Sequence, residues 1–190
     1  IRAGTWCDVG YRFLPCLFNE LVDFVEIELA WCQVACGIKE DRRKYGAPFW
    51  AAGWFRWRNW RSAKAGLDYL EWASKLTFDE EWIAADDPNY KKPTPQALGA
   101  IETRELYKWW TEVYRKRPDP HETSGWSAWC DRKRDETGHK FWLDDETESA
   151  EEKAQCKRIL DHLHKIEQQY RAEEEAMMIR LIRIRESLWT

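Results

Sequence analysis

Cysteine and histidine, which can bind metals and act as nucleophiles or bases, are dispersed along this chain. They are Cys7, Cys16, Cys32, Cys36, Cys130 and Cys156, with His121, His139, His162 and His164. Cys32 and Cys36 are four positions apart on a predicted helix, so four thiolates, with Cys7 and Cys16, can in principle meet around a metal. Zinc sites usually carry cysteine pairs in tighter knuckles, and that spacing is missing. We therefore expect buried thiols and no metal site.

The histidines and the known catalytic motifs provide no better candidate for an active site. His162 and His164 are two positions apart and point to different faces of a helix, so they cannot chelate together as an i, i+4 pair does. The sequence contains no nucleophile elbow, no phosphate-binding glycine loop and no metalloprotease signature. We predict a protein that is not an enzyme and uses no cofactor. A catalytic site assembled only by the fold is the alternative that one sequence leaves open.

The most distinctive chemistry lies in FWAAGWFRWRNWR, residues 49–61. From Arg42 to Leu67 the chain has seven basic residues and no acidic residue, although its net charge is −4. Tryptophan rings stack on nucleic-acid bases, and guanidinium groups bind phosphates through paired hydrogen bonds. We therefore predict a surface for a nucleotide, a nucleic acid or an acidic protein. Its residues are Trp50, Trp54, Arg56, Trp57, Arg58, Arg61 and Lys64.

A helix through this stretch has two aromatic faces, because successive residues are about 100° apart. One face carries Trp50, Trp54, Trp57 and Arg61, and the other carries Trp60, Ala63, Leu67 and Leu70. Only the first face ends in charged residues, so it is the candidate for contact with a partner. Tryptophans at helical spacing are more often core, and arginines among them often pair with acidic residues of their own chain. A purely structural role is therefore the competing interpretation.

Apolar residues recur with a helical period nearly everywhere, and strand signals are nearly missing. We predict an all-α fold, a single-domain bundle of four or five helices. The predicted helices span residues 13–36, 48–76, 94–117, 124–135 and 149–188. Pro15 is expected in the first turn of the first helix. The acidic stretch at residues 78–95 is expected to be a loop because it holds three prolines.

The predicted C-terminal helix is the longest element. Ser149 and Glu152 have the spacing of a capping box. The apolar positions that follow step mainly by three and four: Ile159, Leu163, Ile166, Tyr170, Met177, Leu181, Ile184 and Leu188. A helix of this length usually spans a whole bundle or pairs with a second copy of itself. Just before it, Trp126 and Trp129 are expected to fill a rigid corner of the bundle.

The composition bears on the compartment. Charged residues interrupt every apolar run before it reaches the roughly 20 residues that a membrane span needs. The cysteines are few and irregularly spaced, unlike the framework of a small secreted protein. We therefore expect no membrane association and reduced thiols in a cytoplasm.

Three stretches in this order, LYKWWTEVYRKRPDP, SGWSAW and AMMIRLIRIRESLWT, resemble a group of uncharacterised proteins from tailed bacteriophages. The resemblance covers most of the chain. It implies a bacterial virus as the source and action in the cytoplasm of an infected host. No motif in these stretches is tied to a known reaction, so the resemblance supplies no catalytic residues.

Together these observations predict a small helical binding protein, a phage accessory factor. Its expected task is to sequester a nucleotide or nucleic-acid ligand, or to dock on and inhibit a host protein. The alternative is a structural or assembly protein that forms a homo-oligomer through the long C-terminal helix and tryptophan-rich surfaces.

Overall fold

The computed structural model describes residues 10–35, 39–48, 60–79, 83–137 and 149–188. Regular structure in these ranges is helical, which confirms the predicted all-α class. Pairing of the β type is limited there to one isolated bridge, between Thr77 and Pro93. Residue contacts divide the chain into two compact units, Ile1–Arg115 with Met177–Thr190, and Lys116–Ala176. The single-domain prediction stays a prediction, because compactness alone does not decide whether a unit folds independently.

The first unit is built mainly from five helices and the irregular helical turns between them. They are α1 (Gly10–Asp23), a π-helical turn (Phe24–Leu29), α2 (Ala30–Ala35), α3 (Lys39–Lys44), α4 (Ala63–Ala73), α5 (Pro95–Lys108), a second π-helical turn (Trp109–Val113), and 3-10 turns at Tyr114–Lys116 and Arg185–Ser187. The first predicted helix, 13–36, is therefore present with an irregular middle. The expectation for Pro15 was wrong: α1 begins at Gly10, so Pro15 lies inside the helix.

The π-helical turn at Phe24–Leu29 is where α4 packs against the first helical segment. A π turn departs from the regular i, i−4 ladder, which makes backbone carbonyls available to other partners. The carbonyl of Glu26 accepts a hydrogen bond from the Ser62 N–H at 2.7 Å. Gly66 faces the Val25 carbonyl so closely that any Cβ at this position would collide with it. The absence of a side chain at Gly66 is thus what allows α4 to approach.

The predicted helix 48–76 was wrong as a continuous element. Trp60, Arg61 and Ser62 are not helical, and α4 begins only at Ala63. Ser62 is extended, with φ −153°, and its hydroxyl accepts a hydrogen bond from the Ala65 N–H at 3.2 Å. A serine that caps a new helix in this way marks a start rather than the middle of one. The two-face projection through Trp57, Trp60 and Arg61 therefore loses its geometric basis.

The core of the first unit combines aliphatic side chains of α1 with an aromatic cluster. Phe18 is fully buried, and its ring lies 5.0 Å from that of Trp109 and 5.2 Å from that of Trp110. Tyr114 stacks on Trp110 with ring centroids 4.4 Å apart. Large aromatic rings bury much apolar area each, so this cluster contributes strongly to the packing of α1 on the end of α5.

The loop predicted at residues 78–95 is confirmed at residues 78, 79 and 83–94, whereas Pro95 already belongs to α5. Backbone hydrogen bonds close it at its base, from Phe78 N–H to the Lys92 carbonyl at 3.0 Å and from Lys91 N–H to the Phe78 carbonyl at 2.8 Å. Thr94 then caps α5 by accepting from the Ala97 N–H at 3.1 Å, and Pro95 occupies the first turn. Proline is favoured there because its missing N–H has no helical partner to lose.

The second unit contains α6 (Pro120–Ser124), α7 (Trp126–Thr137) and the larger part of α8 (Ala150–Arg183). The capping box is confirmed, because the Ser149 hydroxyl accepts from the Glu152 N–H at 3.2 Å and a Glu152 carboxylate oxygen accepts from the Ser149 N–H at 3.0 Å. Trp126 and Trp129 stack with centroids 5.4 Å apart, and Trp129 is buried.

Among the described helices, none combines the length and apolar character that a membrane crossing requires.

Candidate ligand-binding site

Most of the predicted tryptophan and arginine surface lies outside the described residues. This is true of Trp50, Trp54, Arg56, Trp57 and Arg58. Arg61 and Lys64 are described, and both are exposed. Trp60, predicted as core, is buried in a cluster with Ala30, Val34 and Ala65. That assignment is confirmed, although Trp60 reaches the core from a non-helical segment.

Arg61 pairs with carboxylates of its own chain. Its guanidinium contacts Asp23 at the end of α1, and its Nε lies 3.0 Å from Glu26 Oε2 in the π-helical turn. The other oxygen of Glu26 accepts a hydrogen bond from the Tyr107 hydroxyl at 2.7 Å. Burial, together with this hydrogen bond to a carboxylate, raises the pKa of Tyr107, so the phenol stays a neutral donor. Arg61 is therefore part of a network that fastens α1, α5 and the start of α4.

Lys44, at the end of α3, is also engaged within the chain. Its Nζ donates to Asp68 Oδ2 at 2.8 Å, and the Tyr45 hydroxyl donates to the same oxygen at 2.8 Å. The hydrogen bond from Lys44 is the main cause of a lowered pKa for Asp68, and the hydrogen bond to Asp68 raises the pKa of Lys44. Two of the basic residues counted between Arg42 and Leu67 thus face acidic partners in α1, the π-helical turn and α4.

A partly open cavity of about 390 Å³ lies in the first unit, beside α4 and α5, and we call it the α4–α5 cavity. Its described lining is Phe24, Leu29, Cys32, Tyr69, Leu70, Ala73, Pro95, Gln96, Gly99, Ala100, Thr103, Glu186 and Ser187. Leu29, Leu70, Ala73 and Ala100 are buried and form an apolar floor. The volume is within the range of sites that hold small molecules.

The polar groups of the α4–α5 cavity are few and concentrated at its rim. Gln96, Glu186 and Ser187 are exposed, whereas Thr103 is buried. None of the described lining residues is basic, and Glu186 is the one that is acidic. Bound phosphates need cationic or N–H donors directed at them. The charge of the lining therefore favours a ligand that is neutral or positively charged over a nucleotide.

The cysteines and histidines do not combine into a metal site in the part of the chain that the structure describes. There, no three side chains of His, Cys, Asp or Glu are grouped as a metal ion requires. Cys7 and Cys36 fall outside the described residues, so whether the four thiolates meet is not tested, and the expectation of no metal site stays a prediction. The expectation of buried thiols was wrong for the described cysteines: Cys16 is exposed on α1, and Cys32, Cys130 and Cys156 are only partly buried. Cys32 lines the α4–α5 cavity. Burial raises the pKa of the Cys130 thiol, so at neutral pH it is mostly protonated and a poor nucleophile.

Comparisons with known proteins do not place this chain in a family. No family model, no curated protein and no solved structure matches it. The resemblance to tailed-phage proteins therefore stays a prediction, and the α4–α5 cavity carries the functional argument.

The α4–α5 cavity was not predictable from the sequence. Its walls come from the first π-helical turn, α2, α4, α5 and the last 3-10 turn, so its lining spans Phe24 to Ser187 along the chain. Small residues at Ala73, Gly99 and Ala100 leave the space open. The one signal available in the sequence was the small-residue composition of ALGA at the start of α5, which is equally typical of close helix packing.

Proposed function

We propose that this chain is a non-enzymatic binding protein whose ligand is a small, largely apolar molecule that is neutral or positively charged. The observation that carries the proposal is the α4–α5 cavity, with its apolar floor, its polar rim and no basic residue among the described lining. An apolar cavity with a few polar groups that orient the ligand is the usual form of a small-molecule site. The described lining contains no histidine, and Cys32 is its one thiol, so the pairing of a thiol or hydroxyl with an imidazole base is missing from it.

The proposal is tested by titration with a fluorescent probe of each charge type. Prodan, a neutral naphthalene, should bind with enhanced and blue-shifted emission, whereas the anionic anilinonaphthalene sulfonate should bind at least about tenfold more weakly because no basic residue of the described lining can pair with its sulfonate. Ala100→Leu places a larger side chain into the cavity and should weaken prodan binding at least about tenfold. Equal binding of both probes, or no effect of Ala100→Leu, would contradict the proposal.

Leu98→Ala is the matched control for this titration. Leu98 is on the same helix, two positions from Ala100, and is exposed and absent from the cavity lining. The Leu98→Ala variant should bind prodan as tightly as the wild type does. Circular dichroism and the melting temperature must show that both variants fold, and a bound probe should raise the melting temperature by mass action.

The second candidate function is the predicted nucleotide, nucleic-acid or acidic-protein surface at Trp50 to Lys64. The observation that favours it is the charge of residues 42–67, which hold seven basic residues and no acidic one. The resemblance to phage proteins adds a setting for it, the cytoplasm of an infected bacterium. Because Arg61 has two carboxylate partners within the chain, the surface would depend on Arg56 and Arg58 more than on Arg61.

The experiment for this second candidate leaves Arg61 unchanged. The double variant Arg56→Glu and Arg58→Glu should abolish salt-sensitive thermal stabilisation by nucleotides or short oligonucleotides. The control Arg132→Glu and Arg134→Glu makes the same charge change on exposed positions of α7. If neither wild type nor control is stabilised by any nucleotide or oligonucleotide, nucleotides and nucleic acids are excluded as ligands of this surface, and an acidic protein is the partner that is left.

A further inference from the structure

A second cavity of about 390 Å³ forms a groove on the first unit between α1 and the residues that end α8, and we call it the α1–α8 groove. Its described lining is Leu17, Glu20, Leu21, Phe24, Glu28, Leu181, Ile182, Arg185 and Leu188. Leu21 and Leu181 are buried at its floor. Ile182 lines the groove while 50% exposed, so it presents apolar surface that the chain itself does not cover.

The charged residues that line the groove differ in whether they have partners within the chain. Glu20 and Glu28 stand on the α1 side, and no ion pair with a described residue uses either carboxylate. Arg185, on the other side, is already engaged: its guanidinium donates to the Ile182 carbonyl at 3.2 Å and to Glu186 Oε1 at 3.4 Å. The groove therefore offers an apolar floor with two unneutralised negative charges along one edge.

We propose that the α1–α8 groove docks a segment of a partner protein that carries apolar side chains on one face and lysine or arginine beside them. The apolar face would cover Leu21, Leu181 and Ile182, which is how amphipathic helices bind grooves. The basic side chains would neutralise Glu20 and Glu28, a match of charge that sets the choice and orientation of the partner. This proposal does not depend on the ligand of the α4–α5 cavity, although Phe24 lines both sites.

The groove favours a basic partner over the other classes of macromolecule. A nucleic acid or an anionic membrane surface would bring negative charge against Glu20 and Glu28, which costs free energy in both cases. A second copy of this chain would need a basic apolar segment free to enter the groove. The test therefore separates a basic amphipathic segment from an acidic one.

The experiment uses the full chain and a fluorescently labelled amphipathic helix made only of leucine and lysine. We expect saturable binding below about 100 µM by fluorescence anisotropy, a range typical of weak peptide docking. A matched helix with glutamate in place of every lysine should not bind. The double variant Glu20→Gln and Glu28→Gln should raise the dissociation constant about tenfold, and Ile182→Ala should also raise it about tenfold because the partner loses apolar contact.

Two controls keep the interpretation specific. Glu112→Gln with Glu175→Gln changes the net charge equally at exposed carboxylates outside the groove, and should leave the dissociation constant unchanged. Ala100→Leu, which fills the α4–α5 cavity, should also leave it unchanged, so failure of one proposal is distinguishable from failure of the other. Absence of binding, equal binding of the acidic helix, or an equal effect of the two double variants overturns the proposal. Circular dichroism must show that each variant is folded.

Discussion

At the scale of single residues, Arg61 illustrates how far a sequence pattern can locate a functional group. The pattern identified a guanidinium beside tryptophans, and the structure supplies its partners, Asp23 and Glu26, from a segment more than thirty positions earlier in the chain. Sequence spacing predicts contacts within a helix, such as the Ser149 and Glu152 capping box, because those residues are near neighbours on one element. It does not predict which distant carboxylate will meet an arginine.

The network around Arg61 predicts a stability effect. Arg61→Glu should reduce the free energy of unfolding by about 2 kcal/mol, because it places a third carboxylate beside Asp23 and leaves the partly buried Glu26 without its cation. Lys64→Glu, exposed at the start of α4, should change it by less than about 0.5 kcal/mol. Urea denaturation followed by circular dichroism measures both. Equal effects of the two substitutions would show that Arg61 is an ordinary surface charge.

The lowered pKa of Glu152 predicts that the stability of the second unit depends on pH. Its pKa is lowered from 4.5 to about 2, first by the hydrogen bond from Lys133 Nζ at 2.7 Å and then by Ser149. Because the folded pKa lies below the unfolded one, the stabilisation is complete above about pH 4.5 and is lost as the pH falls through about 2.

The measurement for Glu152 is a carbon-13 NMR titration of its carboxyl group. In the wild type the titration midpoint should lie near 2. In Lys133→Met, which removes the buried ammonium but keeps an unbranched apolar stem, the midpoint should move upward toward 4.5. A wild-type midpoint near 4.5 would mean that the ion pair between α7 and α8 contributes little in solution.

At the scale of secondary structure, the π-helical turn at Phe24–Leu29 and the glycine opposite it determine where α4 lies. The helical period predicted the first helix but not this turn, because one inserted residue barely changes the apolar pattern. The prediction of one continuous helix over residues 48–76 was wrong for a related reason. Tryptophans continue the apolar pattern across Trp60, while the capping serine at position 62 starts a new helix. Local hydrogen bonds, and not the apolar pattern, determine both the π-helical turn and the start of α4.

Gly66→Ala tests the close packing of α4 on the π-helical turn. The added Cβ would collide with the backbone carbonyl of Val25, which has little freedom to move, so the free energy of unfolding should fall by about 3 kcal/mol. Alanine otherwise favours a helix over glycine by about 1 kcal/mol, so a loss of stability cannot come from helix propensity. Thermal and urea denaturation of the variant give the measurement.

Gly99→Ala is the comparison for that variant. A Cβ at Gly99 would meet the Ser187 side chain, with Cβ at 2.8 Å and Oγ at 2.9 Å, and Ser187 is exposed near the end of the described chain. This neighbour can shift, so Gly99→Ala should cost clearly less than Gly66→Ala. If Gly99→Ala were the more destabilising change, the packing of α4 on the π-helical turn would not be the tighter of the two contacts.

At the scale of the whole molecule, the all-α class was predictable because helical periodicity is a property of each segment alone. The cavities were not, because each is formed by segments far apart in sequence whose packing angles no pattern records. The long helix was predicted at 149–188 and is present as α8, Ala150–Arg183. Its buried positions Leu163, Ile166 and Leu181 are already covered by the chain itself.

Because these positions of α8 are already buried, we expect the protein to be a monomer. A helix pairs with a second copy through an apolar seam. The buried positions of α8 are not available for one, and the two exposed large apolar residues of α8, Ile179 and Ile182, are too few to form one. Sedimentation equilibrium at micromolar concentration should therefore give the mass of one chain, 22.9 kDa. A defined dimer that Ile179→Asp dissociates would instead support the assembly function, because Ile179 is one of the exposed apolar residues of α8.

Protection of Cys32 by a bound ligand tests most directly whether the α4–α5 cavity is a ligand site. Cys32 lines the α4–α5 cavity, whereas Cys16 is exposed on α1 and lines neither cavity. The alkylation rates of both by iodoacetamide are followed by peptide mass spectrometry, with and without saturating prodan. We expect prodan to slow the alkylation of Cys32 at least about fivefold and to leave that of Cys16 unchanged. Prodan bound with no change at Cys32, or with equal slowing at Cys16, would contradict a ligand site in this cavity.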